Sequence, residues 1–219
     1  MVKSVGIILA GGIGLRFGGG KPKQYHLLDG KEIIWYSINA FREAKKIDDF
    51  IVVVGDSEYV SGVISERYDV KTVCGGDTRN RSFYNALCYI RENYPDCEKV
   101  IENNAACPFI TPKQIDDFID LLDDNDFVQT TFHITDALGS YSDRLVNRDD
   151  YFLIQAPDAY RFGMLMEYFD PDSPNAHPAT HLPGSAKGYN YFESGHPFKV
   201  TYPEDIEFAE ILLRRMRTK

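Results

Sequence analysis

The chain has 219 residues, of which 43% are hydrophobic and 13% aromatic, so it can bury a full core in one domain and is not a disordered chain. A formal net charge of −9 argues against a general nucleic-acid-binding surface and against a surface for anionic membranes. The four cysteines have no paired CxxC spacing, and the sequence has no signal peptide or long apolar span. We therefore expect a reduced, cytoplasmic protein.

Apolar runs and helical patterns alternate along the first half of the chain. Predicted strands cover Val5–Leu9, Phe50–Gly55, Val70–Val73 and Lys99–Glu102. Predicted helices cover Ile33–Ala44, Glu58–Arg67, Arg81–Asn93 and Thr111–Asp123, the last with Thr111 as cap and Pro112 in its first turn. This alternation predicts βαβ crossovers and an α/β fold with a mostly parallel sheet, whose ligands bind at the carboxyl ends of the strands.

The second half of the chain departs from this alternation. Strand patterns at Gln129–Thr135 and Tyr151–Ile154 flank a polar excursion, which predicts a protruding arm at about residues 135–152. Asp170–Gly188 is rich in Pro, Gly, Ser, Asn and His and is predicted to be a loop. Pro203–Met216 has helical periodicity and ends in cations, as a helix C-terminus prefers.

The first predicted strand leads into a glycine-rich loop, Leu9–Gln24, that carries Arg16, Lys21 and Lys23. Missing side chains let backbone N–H groups reach anionic oxygens, and the three cations would supply the charge that a triphosphate needs. The spacing is neither the dinucleotide fingerprint nor a P-loop. The alternative is a glycine-rich surface turn with solvated lysines.

A second cluster, Cys74–Ser82, follows a predicted strand and opens a helix. It offers backbone donors, a carboxylate and a hydroxyl within one turn, and such a group can read the edge of a nucleobase. The alternative is a capped helix start, with Asp77 as the acceptor and Ser82 inside the first turn.

The two clusters together resemble a known family. The glycine-rich loop resembles the signature of sugar-nucleotide pyrophosphorylases and, through Lys21–Tyr25, that of the cytidylyltransferases acting on methylerythritol phosphate or ribitol phosphate. The resemblance extends from Gly6 nearly to the end of the chain. It implies a Rossmann-like three-layer α/β domain of the nucleotide-diphospho-sugar transferase type, with the arm at about residues 135–152 making a homodimer. It also implies transfer of CMP from CTP to a phosphorylated alcohol, with release of pyrophosphate and Mg²⁺ carried on the CTP.

The resemblance assigns roles to individual residues. The implied catalytic residues are Arg16, Lys23 and Lys199. The implied nucleotide-binding residues are Ala10, Gly11, Gly12, Gly14, Gly75, Gly76, Asp77, Arg79 and Ser82. The implied acceptor-binding residues are Asn104, Cys107, Thr135 and Arg148, of which Arg148 would reach the substrate phosphate from the arm. Alternatively, Lys199 is a solvated lysine at a strand end and Arg148 is an ordinary surface arginine.

Departures from the family pattern cluster on the acceptor and metal side. The motif His-Asp-Ala-Ala-Arg-Pro reads Asn103–Pro108 here, so Asn104 replaces the Asp expected to hold Mg²⁺ and Cys107 replaces the Arg expected to hold the acceptor phosphate. A neutral Asn oxygen is a weak magnesium ligand. His196-Pro197 stands near Lys199, where the family has another acidic ligand, and the arm's Thr-Asp-Thr reads Thr135–Ala137. The family's Thr-Pro-Gln after the arm reads Ala156–Asp158.

These departures leave two interpretations open. One is an enzyme with a changed acceptor, such as another phosphorylated alcohol or a phosphonate used in cell-surface polymer synthesis. The other is a nucleotide-binding homologue that has lost catalysis and serves as a regulator. Because the glycine-rich loop and the Asp77–Ser82 cluster survive, we favour the divergent enzyme.

The stretch His177–His181 supports a third interpretation, a carbohydrate or protein interaction module. Two histidines four residues apart can bind zinc on a helix, but Pro178 and Pro183 disfavour a helix here. We expect this stretch to be a lid over the acceptor site instead.

Overall fold

The computed structural model describes residues 1–14, 16–18, 20–142, 145–195 and 198–217. The strands are β1 (Ser4–Leu9), β2 (Leu27–Leu28), β3 (Lys31–Glu32), β4 (Asp49–Val54), β5 (Lys71–Cys74), β6 (Lys99–Asn104), β7 (Phe127–His133), β8 (Phe152–Arg161) and β9 (Gly188–Tyr191). The α-helices are α1 (Ile33–Glu43), α2 (Asp56–Ser61), α3 (Val63–Tyr68), α4 (Arg79–Asn93), α5 (Pro112–Leu121), α6 (Phe162–Tyr168) and α7 (Asp205–Arg217). Short 3₁₀ helices lie at Lys23–Tyr25, Arg148–Asp150 and Pro178–His181.

Seven strands form one sheet in the order β5-β4-β1-β6-β8-β7-β9. The strands β5, β4, β1 and β6 are parallel, β8 runs antiparallel to both β6 and β7, and β9 is parallel to β7. The predicted mostly parallel α/β sheet is therefore confirmed. The carboxyl ends of β1, β4, β5 and β6 meet at one edge, where open α/β sheets bind their ligands.

Helices cover both faces of the sheet and complete a three-layer α/β domain. One face packs against α1 and α5 through residues such as Phe41 and Phe118. The other face packs against α4 and α6 through Phe83, Ile90 and Leu165. The fully buried β-branched residues of β1 and β4 are typical of a parallel strand covered on both sides. No helix among the described residues is long and apolar enough to cross a membrane.

The segment Glu58–Arg67 is helical as predicted, but one continuous helix is wrong. Two short helices, α2 and α3, occupy this segment, and Gly62 separates them with φ of 67°. The left-handed conformation at Gly62 ends the first helix and redirects the chain, and glycine adopts it without steric cost. The prediction for α5 is confirmed, because Thr111 caps the helix by accepting a hydrogen bond from the N–H of Gln114 at 3.1 Å, and Pro112 follows in the first turn.

The predicted arm lies between β7 and β8, which pair antiparallel with a register shift at Gln129/Thr130. The described residues between the two strands carry exposed apolar side chains: Tyr141 is fully exposed and Leu145 is 97% exposed. Thr135 and Arg148 meet in this segment, where Arg148 donates a hydrogen bond to the carbonyl of Thr135. That the arm makes a homodimer stays a prediction.

Candidate functional site

A cavity of about 800 Å³ lies at the carboxyl edge of the parallel strands, between the glycine-rich loop and the turn Gly75–Ser82. The structure brings together here residues that are far apart in the sequence. The predicted site residues that line it are Ala10, Gly11, Gly12, Gly14, Arg16, Lys23, Gly75, Gly76, Asp77, Arg79, Ser82, Asn104 and Lys199. Every predicted catalytic and nucleotide-binding residue therefore faces one space.

The glycine-rich loop is held in place from behind by Gln24. Its side-chain amide donates hydrogen bonds to the carbonyls of Ala10 and Gly12, the latter at 3.1 Å. Gln24 is a buried residue of the 3₁₀ turn Lys23–Tyr25, so the turn that fixes the loop also carries the cation Lys23. The backbone of the loop is thereby shaped before any ligand arrives, which lowers the entropic cost of binding.

The turn Gly75–Ser82 is closed by hydrogen bonds between its ends. The hydroxyl of Ser82 accepts from the N–H of Gly76 at 3.0 Å and faces the carbonyl of the same residue at 3.2 Å. A Cβ at Gly76 would lie 2.5 Å from the Cβ of Arg81, so only glycine fits this turn. The cap of α4 is Thr78, which accepts from the N–H of Arg81, and not Asp77 as the alternative interpretation had it. Asp77 is exposed and is left for a ligand.

Four cationic side chains among the described residues line the cavity, and three of them, Arg16, Lys23 and Lys199, form a cluster. Lys23 reaches across the cavity and donates to the carbonyl of Val200 at 2.8 Å, next to Lys199. The segment that carries Lys199 is seated by a hydrogen bond from the N–H of Val200 to the carbonyl of Ala106 at 2.9 Å. Burial and the neighbouring charge of Lys199 lower the pKa of Lys23, with a smaller contribution from Arg16. The cluster is thus strongly electropositive and suits a polyanion.

The acceptor-side residues separate in the structure. Asn104 ends β6 and faces the nucleotide-side cavity, whereas its neighbour Asn103 is buried and donates to the hydroxyl of Ser37 at 3.0 Å. Cys107 is only 4% exposed and lines a second cavity of about 570 Å³. Burial raises the pKa of the Cys107 thiol to about 12, so it supplies no charge. The paired segments at Ala106 and Val200 separate the two cavities.

The second cavity is mainly apolar. Aromatic residues contribute much of its wall, and Gln114 joins two of the wall's polar groups by donating to the hydroxyls of Thr130 at 3.1 Å and Ser194 at 2.6 Å. Thr135 and Arg148 line neither cavity of their own chain. Within one chain, the structure therefore does not bring these two predicted acceptor-binding residues to either cavity.

The predicted lid over the acceptor site is wrong for the described residues of His177–His181. His177 lies 3.4 Å from Asp158 of β8, Ala179 packs against the core cluster that contains Phe83 of α4, and none of the stretch lines either cavity. His181 stacks on Phe169 and accepts a hydrogen bond from the N–H of Asp170. The chain just before the stretch is tied to α4, because Arg79 donates to the carbonyl of Ala176 and Asn80 donates to the carbonyls of Ser173 and Asn175. His196 and Pro197, considered above as metal-ligand replacements, lie outside the described residues.

Several cavity residues were not predicted from the sequence. Gly55 and Asp56 follow β4 and line the cavity, as do Phe17 and Thr201. The sequence did contain a signal for Gly55 and Asp56, because a glycine and a polar residue at the end of a buried parallel strand mark the ligand edge of the sheet. Phe17 lies within the glycine-rich loop Leu9–Gln24 and Thr201 lies two residues after Lys199, so both neighbour predicted site residues.

The described residues do not form a metal cage. No group of three or more His, Cys, Asp or Glu side chains among them is arranged to hold a metal ion. Asn104 offers one neutral oxygen to the cavity, and Mg²⁺ prefers carboxylates, waters and phosphate oxygens. Among the described residues, the carboxylates that line the cavity are Asp56 and Asp77, so this part of the chain could supply at most two acidic ligands to an ion there.

Comparison with known proteins gives a consistent result. Residues 4–215 match the model of the family described as IspD: 2-C-methyl-D-erythritol 4-phosphate cytidylyltransferase. The protein of that name from Clostridium botulinum is 28% identical, covering 99% of this chain and 100% of its own length. The one from Burkholderia cenocepacia is 30% identical over 95% of both chains. The bifunctional ribulose 5-phosphate reductase/CDP-ribitol pyrophosphorylase Bcs1 of Haemophilus influenzae is 28% identical over 77% of this chain and 38% of its own length.

Solved structures show the same fold. The 4-diphosphocytidyl-2C-methyl-D-erythritol synthase of Anaerococcus prevotii superposes with a TM-score of 0.82 at 22% identity, covering 98% of this chain and 97% of that one. The 2-C-methyl-D-erythritol 4-phosphate cytidylyltransferase of Francisella tularensis superposes with a TM-score of 0.76 at 25% identity, covering 95% and 99%.

Proposed function

Because the chain belongs to the 2-C-methyl-D-erythritol 4-phosphate cytidylyltransferase family of nucleotidyltransferase enzymes, we propose that it transfers CMP from CTP to a phosphorylated or phosphonate alcohol and releases pyrophosphate. The observation that carries the proposal is the cavity in which a preformed glycine-rich loop, the turn Gly75–Ser82 and three cations face one another. The loop suits phosphates, the turn suits a pyrimidine edge, and the cations suit developing charge.

The proposed reaction is an in-line displacement at the α-phosphorus of CTP. An oxygen of the acceptor phosphate attacks, and the bond to the bridging oxygen of pyrophosphate breaks. Arg16 and Lys23 of the glycine-rich loop line the cavity together with Lys199, so negative charge that builds on the phosphoryl oxygens is stabilised by groups already in place. No covalent nucleophile is required. Mg²⁺, carried on the triphosphate, would neutralise part of its charge, and Asn104 would offer it a single neutral oxygen.

The acceptor is proposed to differ from methylerythritol phosphate. The residue at the position of the family's phosphate-binding arginine is Cys107, whose buried neutral thiol cannot make a bidentate contact to a phosphate. An arginine fork supplies both charge and geometry, so its loss changes which acceptor is held.

A homodimer is part of the proposal. The exposed apolar side chains of Tyr141 and Leu145 favour burial against a second copy, and Thr135 and Arg148 then approach the partner's acceptor side. A cytoplasmic location accords with the free cysteines among the described residues. If light scattering at micromolar concentration showed a monomer, the proposed homodimer would be contradicted.

A second candidate function is a catalytically impaired homologue that binds nucleotide and acts as a regulator. The observation that favours it is the combined loss of charge at Asn104 and Cys107, while the nucleotide side of the cavity is complete.

One pair of measurements separates these candidates. A thermal-shift screen of CTP, UTP, ATP and GTP tests donor choice, and we expect CTP to stabilise most. A pyrophosphate-release assay with CTP across phosphorylated alcohols and phosphonates then tests transfer. Equal stabilisation by ATP and CTP would refute the assignment of the donor. Stabilisation by CTP without turnover of any acceptor would favour the regulator.

A further inference from the structure

The buried face of the sheet that packs on α4 ends in a polar layer beside the nucleotide cavity. Glu102 of β6 and Asp158 of β8 are direct cross-strand neighbours, and their exposed fractions are 0% and 2%. The apolar residues Val100 and Tyr160 form the neighbouring cross-strand pair on the same face. Two carboxylates facing each other away from water are unfavourable unless cations compensate them.

One guanidinium supplies that compensation and joins three parts of the protein. Arg79, the first residue of α4, donates from one nitrogen to Glu102 and from the other to the carbonyl of Ala176 at 2.6 Å. Part of its side chain also lines the nucleotide cavity. The same group therefore touches the buried carboxylate, the segment 169–182 and the space assigned to the nucleotide.

The segment 169–182 is fastened to the start of α4 at further points. Asn80 donates to the carbonyls of Ser173 at 3.0 Å and Asn175 at 2.9 Å. Arg81 forms an exposed ion pair with Asp172. On the other side, the Nε2 atom of His177 lies 3.4 Å from a carboxylate oxygen of Asp158. The segment 169–182 therefore contacts both the polar layer, through His177, and α4, through Asn80 and Arg81.

This arrangement is not the most stable filling of the layer. One carboxylate oxygen each of Glu102 and Asp158 is buried with no hydrogen-bond partner among the described residues. Apolar residues at these positions would avoid that cost, since buried ion pairs often contribute little net stability. The charge at Glu102 is therefore better explained by what it orients than by the stability it adds.

We infer that Glu102 is a positioning residue of the nucleotide site: it orients Arg79, and through Arg79 it holds the segment 169–182 against the turn that contacts the base. The inference rests on the proposed function, in which the turn Gly75–Ser82 receives the cytosine of CTP. It predicts that Glu102 affects recognition of the nucleoside and leaves the phosphate side alone, because Lys23 and Lys199 belong to other segments.

The test is a double-mutant cycle on ligand binding by calorimetry, with CTP and inorganic triphosphate as the two ligands. Glu102→Gln keeps the size of the side chain and removes its charge, and we expect the Kd for CTP to rise about 5-fold. The Kd for inorganic triphosphate should change less than about 2-fold, since the substitution leaves Lys23 and Lys199 in place. In an Arg79→Gln background, adding Glu102→Gln should change the Kd for CTP less than about 2-fold, because the group it acts through is gone.

The matched control is Arg81→Gln, which cuts an exposed contact between the same helix and the same segment. We expect it to leave both Kd values unchanged, because exposed ion pairs are worth little. The Arg79→Gln/Glu102→Gln double variant also serves as a control for misfolding, because neither member of the Arg79–Glu102 pair is left charged without its partner.

The outcomes are distinct. Equal loss of CTP and inorganic triphosphate binding in Glu102→Gln would show general structural damage and overturn the inference. Additive effects of Glu102→Gln and Arg79→Gln on the Kd for CTP would also overturn the inference. Unchanged CTP binding in Glu102→Gln would overturn the inference but not the proposed function. A wild-type protein that binds inorganic triphosphate but does not prefer CTP would overturn both.

Discussion

Asp158 makes a testable contribution to the dependence of stability on pH. Burial raises its pKa from the ordinary 3.8 to about 6, with Glu102 adding to the rise and His177 and Arg79 opposing it. An acid whose pKa is raised by folding binds its proton more tightly in the native state. Its contribution is therefore complete below pH 4 and is lost as the pH rises through about 6. The pKa difference of about 2 corresponds to about 3 kcal/mol of unfolding free energy.

The perturbation is Asp158→Asn, which removes the ionisation and keeps the shape. We expect the variant to gain stability relative to the wild type as the pH rises from 4 to 7, by about 3 kcal/mol in total. The measurement is urea unfolding followed by tryptophan fluorescence at several pH values, with the difference in unfolding free energy plotted against pH.

Asp49→Asn is the matched control at the opposite edge of the same sheet. Burial alone would raise the pKa of Asp49, but hydrogen bonds from Lys71 and Tyr94 lower it. The stability that it contributes is present above its ordinary pKa and is lost as the pH falls, so this variant should lose stability relative to the wild type as the pH rises from 3 to 7. If the difference between Asp158→Asn and wild type did not change with pH, or changed in the same direction as for Asp49→Asn, the account of the buried layer would be refuted.

Four further predictions concern the site. Lys23→Met should lower kcat for transfer by about 100-fold or more, measured as pyrophosphate release, because a preplaced cation is lost; a change below 10-fold would contradict its catalytic role. Asp77→Ala should raise the Kd for CTP about 10-fold and leave that for inorganic triphosphate unchanged in calorimetry. Asn104→Asp should lower the Mg²⁺ concentration that gives half-maximal activity, and no change would place the ion elsewhere. Methylerythritol phosphate should be a poor substrate that Cys107→Arg improves, whereas brisk turnover by the natural chain would contradict the changed acceptor.

Periodicity was sufficient for the parallel half of the fold and insufficient for the rest. Apart from the short elements β2, β3, α2 and α3, the strands and helices up to α5 bury one face or both, so their patterns are strong. The strand β9 and the helix α6 are short, and β9 exists because it pairs with β7. The end of β6 shows this: the predicted strand stops at Glu102, but β6 continues to Asn104 because Asn103 and Asn104 pair with β1. Tertiary pairing overrode local composition there.

The candidate site was predictable to the extent that it consists of loops following strands. Glycines and cations at the end of β1 indicated a phosphate site, and the turn after β5 indicated a base site, since both signals are local. The partner of Arg79 was not predictable, because a carboxylate inside β6 and a carbonyl at Ala176 are remote in sequence. The position of His177–His181 was not predictable for the same reason, because its contacts are also with residues remote in sequence.

The cation cluster bears on whether the chain is an enzyme or a binding protein. Burial, and after it the nearby charges of Lys199 and Arg16, lower the pKa of Lys23, so the cluster opposes folding while no anion is present. A triphosphate repays that cost by binding. Affinity alone could be achieved by two of the three cations together with the backbone N–H groups of the glycine-rich loop. Placing the third within the same cavity is better explained by charge that appears only during transfer, because groups that act on the transition state need not strengthen ground-state binding. If the chain is an active transferase, Lys199→Met should therefore lower kcat far more than it raises the Kd for CTP. In a pure binding protein the same substitution would change only the Kd.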